Sequence, residues 1–427
     1  MERLQCHVQN YAWGKKGLNS EVARVYVAGH DVQIDDNTSY AELWMGTHPD
    51  GPAKVKNTNV ELSKHIADTE TSVYERTNKE THLPFIMKLM SIDKTLSIQV
   101  HPTKEQAAKL NDRDPIHYPD RNHKPELAYA LTRFELLCGF RPSTEILSFF
   151  PAFPELKELM GIESTHAFEV LVKAGVEAER SAAKAALAEC FRNLIHAIKF
   201  LSILERGCLT EETAAVIKKM AQDFPGDVGC FCPLILNHII LQPGECCYYA
   251  PQELHAYLSG ECVECVGCSN NTIRAACTPK FVDVDALCDT LNYRMVEPSY
   301  YIVPPKTLKR FPYVDEYAPD CKDFTLHQIK VNFYIMVIVE GKGRIENLSE
   351  KSTINKELSV TRGDVIYIAP DTQVCFTQCS ANISAYRTFS YEKGPDHSAR
   401  NTIPTEFLVV DGTAEIFDLE TEMDGIC

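Results

Sequence analysis

Gln99 and His101 stand two residues apart in LSIQVHP (96–102), and His255 stands two before Tyr257 in ELHAYL. Successive side chains of a β-strand point to opposite faces. Leu96, Ile98 and Val100 therefore share one face, and Ser97, Gln99 and His101 share the other. In the second run Leu254, Ala256 and Leu258 alternate with His255 and Tyr257. Between them, in NHKPELAYAL, Glu126 follows Pro125 into an apolar strand. Two imidazoles, a carboxylate and an amide, with no thiolate, suit a divalent metal such as zinc that keeps positions open for water or substrate. A lone histidine is more often structural than a ligand. The site is favoured because three strands each put their polar groups on one parity inside apolar sequence.

Basic residues surround this set: Lys88 in PFIMKLM, Lys124, Arg274 in NNTIRAACTPKF, and Lys280. A lysine inside FIMKLM either snorkels to the surface or is buried against an anion. With Ser97 on the same face as the metal candidates, a phosphate pocket is expected. A rival metal signal is CVECVGC, with Cys262, Cys265 and Cys268 at three-residue spacing. It lacks a convincing fourth ligand, and in a strand that spacing throws consecutive cysteines onto opposite faces. Buried small apolar residues account for it better.

The elements that must position these groups change texture along the chain. Residues 1–142 alternate short apolar runs with turn-rich segments and read as mostly β. From 143 to 225, STEILSFF, EVLVKAGVEAERSAAKAALAECFRNLIHAIKFLSILERG and TEETAAVIKKMAQDF carry helical apolar spacing. Ser143 and Thr210 fit helix starts and Gly207 a helix end. β texture returns over 226–320, where a Pro- and Tyr-rich connector leads into a last β region, 321–427. PGECCYYAPQELHAY (243–257) aligns without gaps to RGDVIYIAPDTQVCF (362–376), placing His255 over Val374 and Tyr257 over Phe376. Turn glycine, acid, short strand and Ala-Pro bend resemble the cupin type of double-sheet barrel. The expected fold is mainly β: two cupin-like jelly-roll barrels plus an α-helical insert domain, the first barrel active and the second without metal ligands.

With 427 residues the chain can bury a large core. A net charge of −16 argues against nucleic-acid binding. MERLQCHVQNYAWGKK lacks a secretory core, and no window reaches the roughly 18 apolar residues of a membrane span. Seventeen cysteines then read as reduced thiols in a cytoplasmic protein.

Together, NYAWG (10–14), AELWMGTHP (41–49), FIMKLMSIDKTLSIQVHP (85–102), HKPELAYALTRFELLCGF (123–140), HAYLSGECVECVGCSNN (255–271) and IRAACTPKF (273–281) resemble the type I mannose-6-phosphate isomerases. They come in that family's order. The resemblance implies one zinc ion held by Gln99, His101, Glu126 and His255. It implies a sugar-phosphate pocket lined by Trp13, Glu42, Lys88, Ser97, Lys124, Tyr257, Arg274 and Lys280, with Arg274 and Lys124 catalytic. It also implies interconversion of mannose 6-phosphate and fructose 6-phosphate through a cis-enediol, feeding mannose activation toward GDP-mannose or mannose catabolism. No nucleic-acid or membrane partner is expected, and a monomer is. A proton must shuttle between two carbons; Lys124, Glu126 and a zinc-bound water are the candidates. One departure stands out. The family usually has Ser-Asp-Asn where this chain has Ser269-Asn270-Asn271. An amide accepts no proton at neutral pH. Ring opening would then fall to a histidine such as His48 or His123, or the chain would be an impaired, sugar-phosphate-binding paralogue. A third reading, a cupin-like iron oxidoreductase, leaves the lysines without a purpose.

Overall fold

The protein's structure, a computed structural model, describes residues 1–69, 81–175, 181–196, 209–308, 311–329, 335–347, 357–368, 374–380 and 383–389. Among them β-strands dominate, and five helices of seven or more residues occupy the 143–225 segment: Ser143–Phe149, Pro154–Met160, Ile162–Lys173, Ser181–His196 and Glu211–Asp223. Thr210 caps the last of these through its hydroxyl, which accepts from the Thr213 N–H. The Gly207 helix end lies outside the described residues.

The strand that organises the first β region is His255–Gly267. Its early part pairs with Ile98–Val100, aligning His255 with Gln99, and with Phe134–Phe140. Its later part pairs with Phe85–Ile92, aligning Glu264 with Lys88, and with Glu126–Ala130. The register shifts between Tyr257 and Ser259, a bulge that lets one strand serve both sets of neighbours. Four elements carrying polar residues are thereby brought around one interior.

Of the apolar parity of LSIQVHP, Ile98 and Val100 are covered by the helices, whereas Leu96, outside the strand, breaks the expected alternation and lines the cavity beside Ser97. Ile98 and Val100 are fully buried in a core shared with Leu137, Phe140, Leu187, Phe191 and Leu194. The helix Ser181–His196 supplies much of it from Ala183, Leu187, Cys190, Phe191, Leu194 and Ile195, an apolar stripe at helical spacing. Each fully buried leucine or phenylalanine contributes about 1.5–3 kcal/mol. Flipping the short strand would expose Ile98 and Val100, so Gln99 must face the other way. At its end, Pro102 is followed by Thr103, the N-cap of Lys104–Arg113, with a complete capping box to Gln106. That fixed helix start anchors the backbone just beyond His101.

A second β region contains the strands Phe311–Tyr317, Thr325–Ile329, Ser384–Phe389, Ile335–Glu340 and Val365–Tyr367 in one sheet, with Lys342–Asn347, Glu357–Thr361 and Val374–Thr377 in another. The N-terminal strand Glu2–Gln5 joins the regions, pairing with Val365–Tyr367 on one side and Lys54–Val55 on the other. A shared core including Leu43, Tyr129, Cys265, Tyr317, Val365 and Tyr386 fills the space between them. The repeated turn glycines, Gly244 and Gly363, both adopt positive φ, 97° and 90°. Val374 and Phe376, the apolar counterparts of His255 and Tyr257, are buried in the second region's own core.

Candidate metal centre and active site

Three ligand atoms converge in the interior of the first region: those of His101, Glu126 and His255 lie within 4.8 Å of one another, and all three residues are buried. His101 Nε2 is 3.2 Å from Glu126 Oε1, and His255 Nε2 is 3.5 Å from Glu126 Oε2. Gln99 lies beside them, its side-chain Nε2 3.5 Å from His101 Nε2 and its Oε1 accepting from the Ser97 hydroxyl at 2.9 Å. No other such cluster occurs among the described residues.

Backbone carbonyls orient both imidazoles. His101 Nδ1 donates to the Asn271 carbonyl at 2.6 Å, and His255 Nδ1 donates to the Glu253 carbonyl at 3.0 Å. With Nδ1 carrying the proton, each Nε2 presents a lone pair inward, the arrangement of metal-ligating histidines. His255 Nε2 is buried with no hydrogen-bond partner, an orphan that a cation would satisfy. Burial lowers both imidazole pKa values, that of His255 to about 4, so both rings are neutral ligands at physiological pH. Burial alone would raise the Glu126 carboxyl, but Lys124 and the imidazoles overcome it and hold it well below the usual range. The donor set therefore fits a divalent cation. Gln252 pays for the Glu253 carbonyl's placement with a φ of 76°, a conformation costing a non-glycine residue about 1–2 kcal/mol. Its N–H donates to the His101 carbonyl, tying the two ligand segments together. Asn292 and the Tyr301 hydroxyl hold the Glu253 carboxylate in turn.

Beside the cluster is a cavity lined by Glu42, Lys88, Leu96, Ser97, Gln99, Lys124, Glu126, His255, Tyr257 and Glu264, among others. Lys124 Nζ stands 3.2 Å from Glu126 Oε1. Lys88 Nζ contacts Glu264 at 2.8 Å and Glu42 at 3.9 Å. Burial alone would lower the Lys88 pKa; Glu264, Glu42 and Glu126 outweigh it and fix the ammonium in its charged form. Trp44 Nε1 donates to Glu42, and Lys88 lies over the Trp44 ring, 5.4 Å from its centroid. A chain of hydroxyls closes the wall: Tyr249 donates to Glu126 Oε2 at 2.7 Å and touches the Tyr257 hydroxyl at 2.6 Å, while Tyr257 donates to Glu264 at 2.9 Å. A larger open hollow of about 500 Å³, against His7, Tyr26, Tyr40 and Lys54, shows no comparable convergence.

The residues singled out from sequence are not equally placed. Gln99, His101, Glu126 and His255 meet as described, with Glu42, Lys88, Ser97, Lys124 and Tyr257 on the cavity wall. Arg274 is half-buried directly across from Gln99 in the strand pair Ile273–Ala276 and Ile98–Val100, so its side chain starts from the same sheet face. Trp13 is only partly buried, packed against the core that includes Met90 and Tyr257 and stacked on Tyr11, outside the lining. Lys280 is exposed beyond the end of Ile273–Ala276, also outside it. Lys88 has its anion, but from Glu264 and Glu42. Cys262 and Cys265 are buried in different cores on opposite faces, as their spacing requires. His123 is committed to Asp323 at 2.7 Å, whereas His48 is buried edge-on against Trp44. Glu264, Tyr249 and the Asn271 carbonyl were not anticipated. Glu264 carried a usable signal, being an acid inside the apolar run CVECVG that needs a buried partner.

Comparison with known proteins agrees with this geometry. The family profile "Phosphomannose isomerase type I, catalytic domain" matches residues 1–143. A mannose-6-phosphate isomerase of Bos taurus is 37% identical over 405 residues, covering 87% of this chain and 94% of the relative. Mannose-6-phosphate isomerase 1 of Arabidopsis thaliana is 34% identical, covering 91% and 93%. Among solved structures, a variant of the Salmonella typhimurium phosphomannose isomerase superposes with a TM-score of 0.70 at 24% identity over 92% of this chain and all of the other. A mannose 6-phosphate isomerase bound with zinc and yttrium gives 0.69 at 24% identity, covering 91% and 99%.

Proposed function

We propose a zinc-dependent aldose–ketose isomerisation for this chain, which belongs to the type I phosphomannose isomerase family: interconversion of mannose 6-phosphate and fructose 6-phosphate. The observation that carries the zinc assignment is the inward-facing His101–Glu126–His255 set, in which His255 Nε2 is buried with no hydrogen-bond partner. We assign one zinc ion per chain to these three residues and Gln99; a mannose 6-phosphate isomerase of similar fold is itself bound with zinc and yttrium. When bound, it supplies a Lewis acid toward the sugar's reacting oxygens.

The chain's own groups do the rest. Lys88 and Lys124 face the carboxylates of Glu42, Glu126 and Glu264, one negative charge in excess. A divalent cation reverses that excess, and Arg274 at the rim adds to it, which suits an anionic sugar phosphate. Arg274, charged throughout the working pH range, is the fixed cation for negative charge developing on the enediol oxygens; losing such a donor commonly costs about 3–4 kcal/mol in the transition state. Lys124 Nζ, 3.2 Å from Glu126 Oε1, is placed to carry the proton between carbons 1 and 2, a role that requires it to give up one ammonium proton before it takes the substrate's. Lys88, clamped by two carboxylates, orients hydroxyls more than it anchors phosphate. Phosphate contact falls to Ser97, Arg274 and the rim, with Trp13 and Lys280 entering only through substrate that reaches beyond the cavity.

Asn270 does not support an impaired paralogue. Its side-chain amide donates to Asp50 at 2.7 Å, so a carboxylate stands next to this position, beside His48. In this reading two cupin-like barrels, residues 1–142 with 226–320 and 321–427, frame a helical insert at 143–225, and only the first is catalytic. The test is conversion of mannose 6-phosphate to fructose 6-phosphate before chelation, after it, and with zinc restored. Activity lost and regained supports the reading. Full activity in zinc-free protein, or none in zinc-loaded protein, overturns it.

A further inference from the structure

Asn271 is fully buried, and its carbonyl is the acceptor that sets the tautomer and tilt of His101. What holds that carbonyl still lies outside the cavity. The supports of the Ser269-Asn270-Asn271 turn converge on Asp120. Its Oδ1 accepts from Ser269 Oγ at 2.8 Å, Asn271 Nδ2 at 3.1 Å and the Asn122 N–H at 2.9 Å. Its Oδ2 accepts from the Asn270 N–H at 2.7 Å. The Asp120 carbonyl takes a further bond from Asn271 Nδ2, and Asn122 Nδ2 donates to the Cys268 carbonyl just before the turn.

We propose that Asp120 is a positioning residue for metal binding, acting on His101 through the 269–271 turn. The inference rests on the metal reading given above. A carboxylate that gathers donors from three successive residues fixes the backbone of the turn far more tightly than its sequence would. The outer partner of a metal-ligating histidine sets the ring's direction and basicity, so fixing that partner fixes the ligand. The same clamp accounts for Asn270. Its backbone N–H faces Asp120 and its side-chain amide donates to Asp50, so it stands between two carboxylates, where a third would meet like charge.

The test is zinc affinity, measured by competition with a chromogenic chelator, on the wild-type chain and the variants Asp120→Asn, Asn270→Asp and Asp112→Asn. Asp112 pairs with exposed Arg121 nearby and controls for lost negative charge. Asp120→Asn weakens zinc binding about 10–100-fold. Asn270→Asp weakens it in the same direction, and Asp112→Asn leaves it unchanged. At saturating zinc, kcat and KM of Asp120→Asn return close to wild type, because Asp120 contacts the turn and not the cavity. A merely structural role would lower the unfolding temperature of the metal-free protein and leave zinc affinity alone. Should Asp120→Asn not accumulate folded, Ser269→Ala carries the test, with zinc several-fold weaker as the supporting result. Wild-type zinc affinity in the folded variants overturns the proposal. A wild-type chain that takes up no zinc overturns the metal reading, and this inference with it.

Discussion

Both β regions bury histidine next to glutamate in an otherwise apolar interior, and they finish the job in opposite ways. In the first, Nδ1 of His101 and of His255 donates to a carbonyl, and each Nε2 is turned toward Glu126, that of His255 with no hydrogen-bond partner. In the second, Arg387 donates to Nδ1 of His327 at 2.7 Å, so the proton sits on Nε2 and points to Glu316 at 3.2 Å. Glu316, His327 and Arg387 are aligned across neighbouring strands, on the same face as Met336 of the second region's core. The fixed cation there is a side chain, so the cluster is complete in the protein alone. In the first region the cation is left to be supplied. Which imidazole nitrogen is protonated, and by what partner, separates a site from a structural network.

The sharpest way to break this comparison is to remove a ligand. His255→Ala abolishes metal retention and lowers kcat/KM by more than about 100-fold, past the range of changes outside the ligand set; metal analysis beside the isomerase assay checks it. In the second region the corresponding cut acts on stability. Arg387→Met leaves the buried His327 Nδ1 without its donor and costs about 1–3 kcal/mol in denaturant unfolding, while zinc content and kcat of the folded fraction stay at wild-type values. Altered turnover at full zinc would show that the second cluster serves the site.

Acid acts on the second region through His327, whose shift matches that of His255 in the first. Burial, then the neighbouring Arg387, lowers the His327 pKa from 6.5 to about 4 in the folded chain. The unfolded chain therefore takes up this proton first as pH falls. The stability contributed is complete above about pH 6.5 and is lost between there and about pH 4, roughly 3 kcal/mol in all. His327→Gln flattens that part of the stability profile; an unchanged slope would contradict the assignment. The smallest effect is expected at Tyr249→Phe. It removes a hydroxyl from Glu126 and costs about 1–2 kcal/mol of stability, with zinc binding weakened less than in the ligand variants.

The parity of LSIQVHP and LHAYL was legible because it depends on side-chain type at a spacing of two, and the helical insert because it depends on a spacing near four. The rejection of CVECVGC as a metal run followed from the same alternation. What could not be read were supports that carry no residue signature. The Asn271 and Glu253 carbonyls orient the ligands, and every residue has a carbonyl. Asp120 acts through a turn far along the chain. The pairing of Lys88 with Glu264 depends on the register between two distant strands, so sequence showed that Lys88 needed an anion without showing which. The aligned repeat marked where the second region is apolar, at Val374 and Phe376. Its own histidine cluster comes from strands outside the repeat.

The central claim is that one cluster is left open for a cation and the other is closed. Metal-free wild type, His101→Ala and His327→Ala are each loaded with zinc, freed of excess by gel filtration, and assayed for bound metal by atomic absorption. The account predicts one equivalent in the wild type, one in His327→Ala and none in His101→Ala. Zinc retained by His101→Ala, or lost from His327→Ala, would contradict it.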